Sequence, residues 1–395
     1  MQSTKTIIEP NSSFFISSSK LYLCLLVLYF CLPNYEFSAL SASASGLKTS
    51  DFITVLIGSI LLYEGNFKVN KLLLIFSLWY LFKGLASLSL IGFLFGARFL
   101  EYMIVIAAAY NLSKEDIVSF FNIFTKFLFF YFVIEFFFII FGFSSPFSFF
   151  NSGQTWQGRF SLIFGGPYEL GAIALMLLFL PGNNKKIFYI ILLFSSQARA
   201  SIIGLSSFFL NIKSWIYLFP ILLLTIFAFA NRFDDLFQLF PQITNIYNVF
   251  LNLISDFSYS SKEEYIDLWS SREDVVSIIS QDVARSSLLR IYTYLLIFAG
   301  MSDFSTILFG YHPGIYGVAV DSSIIRIFGE TGMIGLILFF ISLKNELMDR
   351  RTLIITLAFL INLSLVDIYF SSKAFTLYWI LTHYLKTYKQ DEANL

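Results

Sequence analysis

Apolar runs long enough to cross a lipid bilayer recur along almost the whole of this chain. A membrane-spanning helix needs about 20 mostly apolar residues, because no water is present to satisfy backbone N–H and C=O groups that the helix leaves unpaired. By that measure candidate spans fall at 21–38, 51–65, 71–88, 97–112, 117–142, 162–181, 187–198, 200–212, 214–230, 321–343, 352–370 and 373–387. Charge content points the same way. Charged residues make up 13% of the chain and hydrophobic residues 57%, against about 25% charged in an ordinary soluble domain. With 50 Phe among 395 residues, the chain has too little polar surface to face water on all sides. The expected fold class is therefore all-α, a polytopic transmembrane helical bundle of about 12 spans.

Lys and Arg in short loops mark the cytoplasmic side. Lys20, Lys68, Lys71, Lys114, Lys185, Lys186, Lys213, Lys344, Arg350, Arg351, Lys386 and Lys389 all fall on one side if both termini are cytoplasmic. The largest segment on the other side is 231–320, which divides the chain into N-terminal spans (1–230), a large periplasmic loop (231–320) and C-terminal spans (321–395). The loop is polar and partly helical. Its stretch Ser286–Gly300 is amphipathic, with Arg290 near the start, and suits a membrane surface. Gly310-Tyr311-His312-Pro313-Gly314 follows as a tight turn. Several spans are short, 51–65 and the pair flanking Arg199 above all. Short spans point to tilted or broken helices that line a polar cavity. The polar stretch Met1–Lys20 argues against a cleaved signal peptide. Cys24 and Cys31, seven apart on one helix face, read as packing or lipid-facing residues. A net charge of zero gives no reason to expect a nucleic-acid partner.

Charges near membrane depth are costly, about 2.5–3.5 kcal/mol for an Arg at a helix centre, so those present are informative. Arg98, Arg159, Arg199 and Arg290 gather on the outer face of this map, with Glu169, Asp321 and Glu330 as nearby carboxylates and His312 as the imidazole. Arg159 leads Arg159-Phe160-Ser161-Leu162-Ile163-Phe164-Gly165-Gly166-Pro167-Tyr168-Glu169, and Arg199 closes Ser195-Ser196-Gln197-Ala198-Arg199. Guanidinium is a planar fork that fits phosphate oxygens, so a diphosphate clamp is one reading. Snorkelling to headgroups, or an ion pair with Glu169, is the other. Asp321-Ser322 precedes Glu330-Thr331-Gly332-Met333-Ile334-Gly335. Asp321 there is either a base or a helix N-cap, and the glycines permit close approach of a neighbour.

Taken together, these elements resemble the O-antigen polymerase (Wzy-type) and O-antigen ligase family of bacterial envelope glycosyltransferases. Four features carry the resemblance: the Arg159-led Gly-Gly-Pro segment, the Ser-x-x-x-Arg-Ala tip at 195–200, the Arg290 helix with its glycine turn, and Asp-Ser-x9-Gly-x-x-Gly at 321–335. Ligases of the family carry His where Asp321 stands, so the resemblance points to the polymerase. It implies undecaprenyl-diphosphate-linked oligosaccharide repeat units as donor and acceptor, joined at the periplasmic face of the bacterial inner membrane. It also implies a chain-length regulator protein as a partner, and neither cofactor nor metal. On this reading Arg199, Arg290 and Asp321 are the expected catalytic residues. Arg159, Glu169, Arg98, His312 and Tyr311 are expected to bind substrate. Trp156, Tyr259, Trp269, Tyr292, Tyr311 and Tyr316 offer rings for sugar stacking, although an interfacial aromatic belt accounts for most of them. The rival functions are the ligase itself and a flippase for the same lipid-linked unit. A flippase would be expected to show repeated halves, which the late, large loop interrupts.

Overall fold

The computed structural model describes residues 17–33, 48–147, 159–181, 184–210, 269–279, 285–301, 303–316, 320, 322–366 and 371–388, with a few positions between 245 and 251. Every regular element among them is helical. In chain order these are α1 (Ser18–Cys31), α2 (Thr49–Glu64), α3 (Lys71–Ala86), α4 (Leu90–Tyr110), α5 (Lys114–Ile140), α6 (Pro167–Leu178), α7 (Lys186–Ser196) and α8 (Arg199–Gly204), which runs on as a 3-10 turn (Leu205–Leu210). Then come α9 (Arg272–Ile279), α10 (Arg285–Gly300), α11 (Phe304–Phe309), α12 (Ser323–Ser342), α13 (Lys344–Met348), α14 (Leu353–Leu365) and α15 (Ser372–Tyr388). By length and composition, α4, α5 and α12 can each cross a membrane. This is an all-helical protein with the marks of a membrane protein. The expected span 214–230 lies outside the described residues.

Local chemistry sets the boundaries. Asn70 caps α3 by accepting from the Leu72 and Leu73 amides, and Ser113 caps α5 through the Asp116 amide. Ser89 does the same for α4 through the Gly92 amide at 2.9 Å. That cap starts α4 at Leu90, a full turn and more before the expected 97. Arg98 consequently sits eight residues inside the helix, about 12 Å along its axis, and not at its mouth. Pro167 occupies the first turn of α6, where its missing N–H costs nothing. The stretch 159–166, expected to be partly span, is irregular.

Close helix packing uses small residues. A Cβ on Gly84 of α3 would collide with the Gly92 carbonyl, and one on Gly96 would lie 3.2 Å from the Gly84 Cα. Two glycines four apart on α4 thus let α3 lie against it. Aromatics fill the centre: Phe99 packs edge-on against Phe76 at 5.0 Å and Phe375 at 5.4 Å, and Phe359 stacks on Tyr378 at 3.9 Å. α5 buries Phe120, Phe121 and Phe124 while Phe129, Phe130, Phe137 and Phe141 stay exposed, as suits a helix against lipid.

Polar contacts separate into two ends of this bundle. At one end, Tyr22 donates to Glu64 at 2.8 Å, Asn111 to the Asn66 carbonyl at 2.8 Å, and Lys386 to Glu346 at 2.8 Å. At the other, Arg98 pairs with Asp51 at 2.6 Å, Lys373 donates to the Leu32 carbonyl at 2.6 Å, and Ser323 to the Val366 carbonyl at 3.1 Å. Each of these pairs joins segments that the Lys and Arg pattern puts on the same side.

The described parts of 231–320 form a second, smaller core. Trp269, Val276, Leu288, Tyr292, Leu296, Ile297, Tyr316 and Val320 are buried together, with Ile325 and Phe328 of α12 packed against them. This places α10 against the first two turns of α12, with α9 packed on α10. The polar stretch that precedes Trp269 lies outside the described residues.

Candidate functional site

At the second polar end, the chain between Arg159 and α6 runs buried without helical hydrogen bonds. Phe160 to Phe164 are nearly inaccessible, so their amides need acceptors inside the protein. The Phe160 amide donates to the Ser195 carbonyl at 3.1 Å, the Leu162 amide to Glu135 Oε2 at 2.9 Å, and the Gly165 amide to Glu169 Oε2 at 2.9 Å. Glu135 of α5 and Glu169 of α6 therefore hold the segment from two directions. Arg159 reaches across to the end of α7. Its Nε donates to the Ser196 carbonyl at 3.3 Å and its Nη2 to the Gln197 carbonyl at 3.2 Å.

This contact puts Arg159 beside the turn that delivers Arg199, which is exposed at the start of α8. Of the expected site residues, Arg159 contacts the backbone just before Arg199, and Glu169 holds the other end of the Arg159 segment through the Gly165 amide. Leu162 and Gln197 both carry φ of 50°, left-handed conformations that non-glycine residues seldom hold and that concentrate where a site over-determines them. Lys373 lies close behind. It is fully buried, within electrostatic reach of Glu169, and its ammonium sits 5.4 Å from the Phe164 ring centroid. In the sequence it is simply the first residue of the expected span 373–387.

Arg98 belongs to a different constellation. Its Nη1 contacts Asp51 at 2.6 Å and Glu101 at 2.8 Å. Around it α1, α2, α4 and α15 enclose a small polar cavity lined by Tyr29, Lys48, Ser50, Asp51, Thr54, Phe95, Tyr102 and Ser372, with Arg98 and Glu101. A guanidinium shared between Asp51 of α2 and Glu101 of its own helix ties α2 to α4.

A third group, absent from the expected site apart from Glu330, lies on α12. Arg326 and Glu330 are fully buried, and Arg326 Nε donates to Glu330 Oε1 at 3.0 Å. Glu330 also accepts from the Gly314 amide at 2.9 Å and from the Tyr80 hydroxyl. The Phe95 ring lies 5.6 Å from the Arg326 guanidinium, so this group borders the Arg98 cavity. Two charges four apart inside 323–342 were the sequence signal for the pair. One turn later Gly332 breaks the helix with φ 68° and ψ −169°. The break frees the Gly329 carbonyl, which accepts from the Tyr311 amide at 3.0 Å. A Cβ on Gly332 would collide with the Leu308 carbonyl, and one on Gly310 with the Gly332 amide. The expected close approach at the glycines is met by the end of α11.

Tyr311 and His312 therefore belong to the turn that docks on this break. The Tyr311 hydroxyl donates to the Gly300 carbonyl at 2.6 Å, and His312 Nδ1 lies 3.0 Å from the Pro313 carbonyl. Arg290 is half-buried on α10, the helix of the second core. Asp321, Trp156 and Tyr259 lie outside the described residues; Ser322, beside Asp321, caps α12 through the Ile325 amide at 3.4 Å. No family model, curated protein or solved structure matches the chain.

Proposed function

We propose that the chain is a surface-polysaccharide (O-antigen) polymerase of the bacterial inner membrane. In this reading it spans the membrane about 12 times, keeps both termini in the cytoplasm and works at the periplasmic face. The observation that carries the reading is the hold of Arg159 on the Ser196 and Gln197 carbonyls, immediately before Arg199 in the chain, at the bundle end that the Lys and Arg pattern assigns to the outside. Two cations beside an exposed left-handed turn at Gln197 suit a substrate with adjacent negative charges. A lipid diphosphate is such a group, and it is also a stable leaving group that needs compensating charge more than a proton.

The proposed step breaks the bond between the sugar anomeric carbon and the diphosphate oxygen of one undecaprenyl-linked glycan. The anomeric carbon then bonds to a hydroxyl of the acceptor unit. Undecaprenyl diphosphate leaves as an anion, and the hydroxyl proton passes to a base. Arg159 and Arg199 stabilise the departing diphosphate, with Arg290 approaching from the loop. Asp321 is the proposed base. Glu169 orients the Arg159 segment. Tyr311 and His312 shape the turn that faces the acceptor, and a chain-length regulator is the expected protein partner. Arg98, held between Asp51 and Glu101, is reassigned from substrate binding to bracing the helices. Deletion of the gene tests this reading on a polysaccharide gel. Lipid A core carrying at most a single repeat unit is the expected product. A surviving ladder refutes the proposal, and loss even of the single unit favours a ligase or flippase.

A further inference from the structure

α5 presents Phe136, Phe137 and Phe138 to the exterior, yet Glu135, the residue before them, is fully buried. A carboxylate turned inward from a lipid-facing helix is costly and marks a task. Its Oε2 takes the Leu162 amide at 2.9 Å, and Leu162 holds φ of 50°. Leucine disfavours that conformation because its Cβ crowds the backbone, so the turn persists only while something holds it. Two residues upstream, the Phe160 amide is fixed to the Ser195 carbonyl, and Arg159 grips the Ser196 and Gln197 carbonyls.

We propose that Glu135 is a positioning residue: by holding the Leu162 turn, it places Arg159 against the α7–α8 turn that precedes Arg199. It acts as a hydrogen-bond acceptor in a fixed place and touches no substrate. Without it, the Leu162 amide is a buried donor with no acceptor, the left-handed turn relaxes, and Arg159 drifts from Gln197. The role in activity rests on the polymerase reading above; the geometric role does not.

The test therefore uses two readouts. The first is cross-linking by a short bis-maleimide between Arg159→Cys and Gln197→Cys, in a background carrying Cys24→Ala and Cys31→Ala. The second is glycan chain length in the deletion strain, complemented by each Glu135 variant with Arg159 and Gln197 intact. Glu135→Gln keeps an acceptor oxygen and should preserve both. Glu135→Leu should lower cross-linking about tenfold, the scale of one lost buried hydrogen bond, and should shorten the chains at equal protein level. Leu162→Gly, which adopts the left-handed turn freely, should restore part of both when added to Glu135→Leu, since the buried amide still lacks its acceptor. Normal cross-linking in Glu135→Leu overturns the proposal, as does a Glu135→Gln variant as defective as Glu135→Leu. If cross-linking follows the expected pattern but the wild-type gene restores no polymer, the positioning role stands and the polymerase reading falls.

Discussion

Arg326 and Glu330, one turn apart on α12, form a fully buried ion pair with the guanidinium Nε 3.0 Å from the carboxylate. The Gly314 amide and the Tyr80 hydroxyl complete the shell of Glu330. The pair thereby joins α3, α12 and the glycine turn. Removing one partner leaves a buried charge uncompensated, a loss of about 3–5 kcal/mol, whereas replacing both by apolar residues of similar size costs far less. Arg326→Met and Glu330→Leu alone should each lower the thermal midpoint of the detergent-solubilised protein sharply. The double variant should be clearly more stable than the sum of the two losses. Strict additivity would show that the two side chains do not act as a unit.

The break at Gly332 gives a second prediction. Gly332 and Gly65 share nearly the same φ, 68° and 63°, but ψ is −169° at Gly332, a region held essentially by glycine alone, and 20° at Gly65, and their surroundings differ as well. Nothing lies within 4 Å of a Cβ at Gly65, while one at Gly332 strikes the Leu308 carbonyl. Gly65→Ala should cost about 1–2 kcal/mol, the left-handed penalty alone. Gly332→Ala should cost substantially more and should loosen the docking of α11. Thermal midpoints of the two variants measured side by side decide it, and equal losses would contradict the structure.

The bundle's two polar ends predict sidedness. A cysteine at Ser260 should react with a membrane-impermeant thiol reagent in cells with a permeabilised outer membrane. One at Asn183 should react only after the inner membrane is opened. The reverse pattern would move the Arg159–Arg199 end to the cytoplasm.

The arginines themselves predict a graded series. Charge-assisted hydrogen bonds contribute about 1.5–3 kcal/mol each, so Arg199→Ala should lower the polymerisation rate about 10- to 100-fold or more. Arg199→Lys keeps the charge, loses the fork, and should fall between. Arg98→Lys should retain most activity, because its partners are Asp51 and Glu101. Asp321→Asn should match Arg199→Ala, as a base demands; the cap of α12 is held by Ser322 and not by the Asp321 expected from sequence, so a mild loss would remove Asp321 from the base role. Full-length polymer from the combined Arg159→Lys, Arg199→Lys and Arg290→Lys variant would remove the clamp.

Legibility in the sequence followed periodicity and length. The helices α2, α3, α7 and α15 lie within a few residues of where apolar runs put them. α4 begins at Leu90, earlier than the expected 97, because the Ser89 side chain caps it there and the apolar run from Leu90 to Phe95 joins the helix. Arg159, Arg199 and Glu169 stand out in the sequence as charges beside apolar runs, but the contacts of Arg159 and Glu169 with distant backbone do not. Glu135 and Lys373 were not, since a single charge inside an apolar helix gives no clue to which face it turns. Arg326 was equally hidden, although its spacing to Glu330 was in plain view. The Gly332 break, the left-handed Leu162 and the sharing of Arg98 depend on contacts between segments far apart in sequence, which no local pattern encodes.

Reconstitution tests the central claim most directly. The purified chain in proteoliposomes would be given undecaprenyl-diphosphate-linked repeat units from its own host, with a metal chelator present. The account predicts glycans of two or more units and one released undecaprenyl diphosphate per new linkage, with both lost in Arg199→Ala. Repeat units that remain single, or that merely cross the bilayer unchanged, would contradict it.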